Sequence, residues 1–194
     1  MKRFIFALLL FALASQTHGQ QSEAQAFIRY QFRNLNRIVF PTFLATHAFS
    51  SIKDALQAST LRSERESLRS RYDPDSILVL SDQEREYLLQ ELEKQQNRTD
   101  SSLVNVFEAG TVTTDNSGQL GYFNRNRDWS DFKQAQANSF YSFSRPLFIR
   151  NNTLCFFYYY FTCGHNCSHG KFAVYRKTRD NAWLPWLVLF TSVS

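Results

Sequence analysis

Cys163, His165, Cys167 and His169 fall in one eight-residue stretch, Cys163-Gly164-His165-Asn166-Cys167-Ser168-His169-Gly170. Two chemistries compete for it. Two cysteines separated by three residues in a glycine-containing loop meet the reach of a disulfide, and an oxidising compartment would close that bond. The same thiols together with two imidazoles are soft ligands suited to zinc or copper. The spacing matches no standard zinc motif, and export exposes free thiols to oxidation, so the expectation is a Cys163–Cys167 disulfide and no metal site. The Cys-x-x-Cys-His of a covalent haem is absent. Cys155 is the odd cysteine. Its neighbours Leu154, Phe156 and Phe157 read as core, which makes it a buried thiol rather than a nucleophile.

Little else could do chemistry. After residue 19 the chain has three histidines, His47, His165 and His169, and no Gly-x-Ser-x-Gly, His-Glu-x-x-His or phosphate-cradling glycine loop. His47 stands between Phe43, Leu44 and Phe49 and reads as a packing histidine. Asp128 and Asp131 read as solvated turn carboxylates. Arg29, Arg33 and Arg37 recur every four residues and draw a basic stripe along a helix, a candidate contact for an anionic envelope surface or an acidic protein. The pattern assigns no catalytic residue, and no cofactor or nucleic-acid partner is expected.

The compartment is read from the start of the chain. Lys2 and Arg3 precede an unbroken apolar run from Phe4 to Ala14, followed by small and polar residues, the pattern of a cleavable export signal over residues 1–19. The run is too short to span a bilayer, which takes about 20 apolar residues. Cleavage is expected after Ala14 or Gly19, the latter preferred, and the product in the periplasm or outside the cell. Losing Lys2 and Arg3 lowers the formal charge from +5 to +3, so the basic balance of the whole chain overstates any preference for anionic partners.

Residues 20–194 are expected to form a single α+β domain, N-terminal helices (20–100) packed on a C-terminal antiparallel sheet (101–194). Charge divides the chain similarly: residues 73–100 carry 3 basic and 8 acidic side chains, between two mildly basic blocks. Ile28, Phe32, Leu35 and Val39 keep a helical spacing ahead of Pro41. A second helix is expected over 51–71 on Ile52, Leu56, Leu61 and Leu68. A third follows Ser81, where Ser81 and Glu84 compose a capping box before Leu88, Leu89 and Leu92. Strands are expected at 103–113, 119–123, 140–149, 153–163, 171–177 and 183–191, with short turns at Asn151-Asn152 and Thr178 to Asn181. In the strand beginning at Thr153, Phe156, Tyr158 and Tyr160 alternate with Phe157, Tyr159 and Phe161, so both of its faces must be covered.

Ser144, Pro146 and Phe148, then Cys163, Gly164, Cys167 and Gly170, then Lys177 and Trp183 give the chain a pattern that resembles a group of small uncharacterised exported bacterial proteins. The Leu80-Ser81-x-x-Glu84 start of the third helix is similar to theirs. The resemblance covers about the last 120 residues. It implies a bacterial source, which sets aside the glycosylation pattern at Asn97, Asn151 and Asn166. The histidines are not part of it, and it brings no activity. The functional expectation is a binding or structural module, against an extracytoplasmic hydrolase or a metal-binding protein using the Cys163–His169 loop.

Overall fold

A strand with apolar side chains on both faces has to lie inside its sheet, and the run beginning at Leu154 does. A computed structural model describes residues 23–33, 38–40, 46–63, 76–95, 112–114, 140–164 and 167–193, with the backbone alone at 38–40, 46–47, 112–114, 140, 142, 162–164, 167 and 193. In chain order the elements are α1 (23–31), β1 (Ile38–Phe40), α2 (Thr46–Gln57), β2 (Thr60–Arg62), β3 (Ile77–Val79), α3 (Asp82–Gln95), β4 (Val112–Thr114), β5 (Phe140–Phe143), β6 (Leu147–Ile149), β7 (Leu154–Gly164), β8 (Cys167–Lys177) and β9 (Trp183–Val193). The fold is α+β, with helices mainly in the N-terminal part and the sheet mainly in the C-terminal part.

Strands β5 to β9 are antiparallel: β7 pairs with β8 and β8 with β9, while β5 and β6 lie end to end along the other side of β7. Short β1 joins β5 and β4 in parallel, and β2 and β3 make a separate two-stranded sheet. The run expected as one strand over 140–149 is thus broken at 144–146, around buried Pro146. The break leaves no partner missing on β7. Ser144 N–H donates to the Tyr158 carbonyl at 2.9 Å, and the Ser144 hydroxyl accepts the Tyr158 N–H at 3.0 Å. Gln95, at the end of α3, bonds Arg145 N–H and carbonyl at 2.8 and 3.4 Å. Without the Ser144 hydroxyl, a buried amide would go unpaired at a cost of about 1–3 kcal/mol.

Both faces of β7 are covered, by different elements. Phe156 and Tyr158 join Phe172, Val174 and Leu187 beneath α2, α3 and the β2–β3 pair, whose Ile52, Leu56, Leu61, Leu78, Leu88 and Leu92 are buried there. Cys155 and Phe157 join Phe148, Ala173, Tyr175, Trp183 and Val188 beneath Ala24, Phe27, Ile28 and Phe32 of α1 and the turn after it.

The front half departs from its expected helices at two places. Helix α1 stops at residue 31, and Val39 lies instead in β1, where Ile38 and Val39 supply β-branched side chains that suit a strand better than a helix. Helix α2 begins earlier than expected and ends at Gln57, and Leu61 reaches the same core from strand β2. Leu35 and Leu68, and the expected strands over 103–111 and 119–123, lie outside the described residues.

The capping box forms as expected: Ser81 N–H donates to the Glu84 carboxylate at 2.9 Å, and Glu84 N–H to the Ser81 hydroxyl at 3.2 Å. Arg150 then couples this helix start to the β6–β7 turn, donating to Glu84 at 2.8 Å and to the Val79 carbonyl at 2.7 Å. Arg150, Asn151 and Asn152 all hold positive φ of 53–60° in that turn. The hydrogen bond from Arg150 is the main cause of a Glu84 pKa below the ordinary carboxylate value; burial opposes it, and the Ser81 hydrogen bonds and the Arg150 charge lower it further.

A depressed carboxylate pKa contributes stability that is complete above the unfolded value, about 4.3, and disappears as pH falls through the folded one. Glu84→Gln keeps a capping side chain but removes the charge. The variant should therefore be less stable than the wild type at pH 7 by about 0.5–1 kcal/mol, since the pair is partly solvated. Urea midpoints compared from pH 7 to pH 3 should converge in acid, and a gap independent of pH would show that the charge contributes nothing.

Candidate ligand-binding cavity

Strand periodicity places Tyr141 and Phe143 of β5, Phe157, Tyr159 and Phe161 of β7, and His169, Lys171 and Tyr175 of β8 on the face that α1 covers. A nine-residue helix is about 14 Å long, whereas an eleven-residue strand such as β7 runs to about 36 Å. Helix α1 starts where Glu23 meets Lys177 of β8 at 2.7 Å and ends where Phe32 packs on Tyr141, Phe143, Phe157 and Tyr159, with ring centroids 5.4–6.5 Å apart. Beyond that end the sheet face continues as half-buried rings. Tyr141 stacks on Phe161 at 5.7 Å, and the imidazole of His169 lies 6.0 Å from Phe161 and 6.3 Å from Tyr159.

A cavity of about 290 Å³ opens at this junction. Phe32, Tyr141, Phe157, Tyr159, Phe161 and Tyr175 form its aromatic walls, Pro185 closes one side, and Gln31 and Lys171 are its non-aromatic polar members. Gln31 is the last residue of α1, and its side-chain Nε2 is buried with no hydrogen-bond partner. Lys171 is the one charged side chain among the described residues lining the space. Its charge acts locally: burial, and secondarily Lys171, push the His169 pKa below its ordinary value, so the imidazole is neutral at pH 7.

Among the described residues singled out from the sequence for their chemistry, His169 lies beside this cavity. The backbone pairs Gly164 with Cys167 at the β7–β8 hairpin end, and the register shifts between Thr162 and Gly164. The side chains of Cys163 and Cys167, and all of His165, lie outside the described residues, as do Arg37, Asp128, Asp131 and the His47 side chain. Cys155 is a free thiol with no exposed surface. Burial, with a smaller contribution from the charge of Glu23, raises its pKa well above the ordinary thiol value, the opposite of what a nucleophile requires. It is eight residues, about 26 Å along an extended strand, from Cys163, far beyond disulfide reach.

Arg29 and Arg33 are exposed, and the Arg33 guanidinium lies over the Tyr30 ring at 4.3 Å. Among the described residues no three His, Cys, Asp or Glu side chains come close enough to hold a metal, and no helix is long and apolar enough to cross a membrane.

The cavity was missed in the sequence because its parts lie far apart in the chain. Its one sequence signal is the alternation of large aromatics in β7, which announces cover on both faces but not where the cover stops. Compared with protein-family models, curated proteins and solved structures, the chain matches none of them.

Proposed function

We propose that the protein is an exported binding module that holds a small apolar molecule in the cavity at the end of α1. The observation that carries this reading is the aromatic-walled space at the end of α1, which Gln31 and Lys171 also line. Apolar pockets with a few convergent polar groups are the usual form of a small-molecule site. The volume suits a molecule of one or two rings. Export is part of the proposal and rests on the Lys2-Arg3 start and the apolar run after it. The mature protein is expected to begin near Ser15 or Gln20 by N-terminal mass analysis, and an intact Met1 on exported material would withdraw that part.

The binding reading is tested by titrating the full mature chain with 2-naphthalenemethanol, a neutral two-ring probe. Saturable binding is expected, weakened about tenfold by Phe161→Ala, which removes a wall at the rim. A wild type that takes up no probe would sink the reading. Gln31→Leu gives a second expected result. Exchanging an unpartnered buried amide for an apolar side chain of similar size should stabilise the protein by about 1 kcal/mol, raising its melting temperature by about 2–4 °C. A lower melting temperature would mean that the amide serves the fold instead.

A further inference from the structure

We infer that the cavity is a slot that selects rod-shaped apolar molecules of two linked rings, laid diagonally across the sheet from Tyr141 of β5 to Pro185 of β9. The inference rests on the binding reading above and adds the shape of the ligand to it. The shape follows from the distance between the walls, set against the volume they enclose.

The strands that line the space are consecutive in the sheet, in the order β5-β7-β8-β9, so its outer walls stand three strand spacings apart, about 14 Å. They also stand at different levels along the strands. Tyr141 pairs with Phe161, whereas Pro185 pairs with Tyr175, which in turn pairs with Cys155. From Phe161 back to Cys155 is six residues of β7, about 20 Å, which sets the two end walls about 24 Å apart on the diagonal. A rounded space of about 290 Å³ would be only about 8 Å across, less than two strand spacings of about 4.8 Å. It could not touch both ends.

The end side chains close little of that difference. Tyr141 stacks at 5.7 Å on Phe161, its direct cross-strand neighbour, so both rings stand over their own level. Pro185 has a short ring. The volume is therefore drawn out into a narrow slot, with almost wholly buried Phe157 and Tyr175 along its floor and half-buried Tyr141, Phe161 and Pro185 at its ends. Helix α1 gives it a straight flank, running from Lys177 of β8 to Tyr141 and Phe143 of β5. Apolar burial scales with the area removed from water and has no direction of its own. Two isomers of one composition thus differ only in how much of each the slot can cover, and a bent one must leave an end outside.

The test uses the trans and cis isomers of para-hydroxymethylstilbene, a rod and a bent molecule of the same atoms, with 2-naphthalenemethanol as the short probe. All three are titrated calorimetrically into the full mature chain. The trans isomer is expected to bind about tenfold tighter than the cis. Phe161→Ala should weaken both the trans isomer and the naphthyl probe. Pro185→Ala, at the far end, should weaken the trans isomer about threefold and leave the shorter naphthyl probe unchanged. If Pro185→Ala does not fold, Pro185→Leu replaces it, shortening the slot and weakening the trans isomer alone. Equal binding of the isomers, tighter binding of the cis, or a trans affinity indifferent to residue 185 would overturn the rod assignment, and retained binding of the naphthyl probe would then leave the cavity reading in place. Failure of all three probes would remove both.

Discussion

Phe27→Ala is expected to be the most damaging single substitution on the α1 face, costing about 3–5 kcal/mol. The Phe27 ring has no exposed surface and stands edge-on to four others: Phe157 at 5.0 Å, Tyr175 at 5.1 Å, Trp183 at 5.4 Å and Phe148 at 6.2 Å. Truncation loses the burial of the ring and four edge-to-face contacts, each worth about 0.5–1.5 kcal/mol beyond area. Little else on α1 compensates, because a nine-residue helix is marginal by itself and stays helical through the face it packs. The loss is a large share of the stability of an ordinary domain, about 5–15 kcal/mol. The same helix carries Gln31 and Phe32 to the cavity, so binding of 2-naphthalenemethanol should fall together with stability. Urea denaturation with an unchanged slope gives the energy, and a midpoint shift worth less than about 1 kcal/mol would show that α1 is not held by this ring.

Leu88→Ala on the opposite face should cost about 2–5 kcal/mol and leave the cavity alone. Leu88 is fully buried on α3 in the cluster formed with Ile52, Leu56, Leu92 and Phe156, and the sheet lies between that cluster and the cavity. Measured well below its melting temperature, the folded Leu88→Ala protein should bind the neutral probe as the wild type does. Phe27→Ala and Leu88→Ala can therefore share a stability loss yet differ in affinity. Equal affinity losses in the two variants would mean that the probe reports only the folded fraction and not the α1 face. The two sites share no partner, and their energies should add within about 0.5 kcal/mol in the double variant.

Five residues of the pattern that runs from Ser144 to Trp183 hold structural positions among the described residues. Ser144 bridges the break between β5 and β6, and Phe148 and Trp183 lie in the α1-side core. Lys177 holds the start of α1 through Glu23 and lies 5.5 Å from the Trp183 ring. Gly170 is where a Cβ would crowd Ser192 Oγ, Tyr158 Oη and Tyr160 Cδ2. A pattern of this kind specifies how the sheet is built and says little about what it binds.

Local sequence was enough wherever a local cause decides the structure. The capping box of Ser81 and Glu84 needs only residues three apart, and α3 starts there. The Asn151-Asn152 turn needs residues that tolerate positive φ. The double apolar face of β7 required cover on both sides, and the class of the fold followed. Tertiary structure alone decided which element covers which face and where each cover ends. Val39 has helical spacing from Phe32 yet lies in a strand that pairs with β4 and β5. Leu61 keeps spacing with Leu56 yet reaches the core from β2. The cavity depends on the short reach of α1 across a longer sheet, and on Gln31, Tyr141, Phe161 and Lys171 meeting from α1, β5, β7 and β8. Apolar periodicity reports that a side chain is buried, and it carries no information about the partner, since burial is non-directional and distant segments compete equally for the same surface.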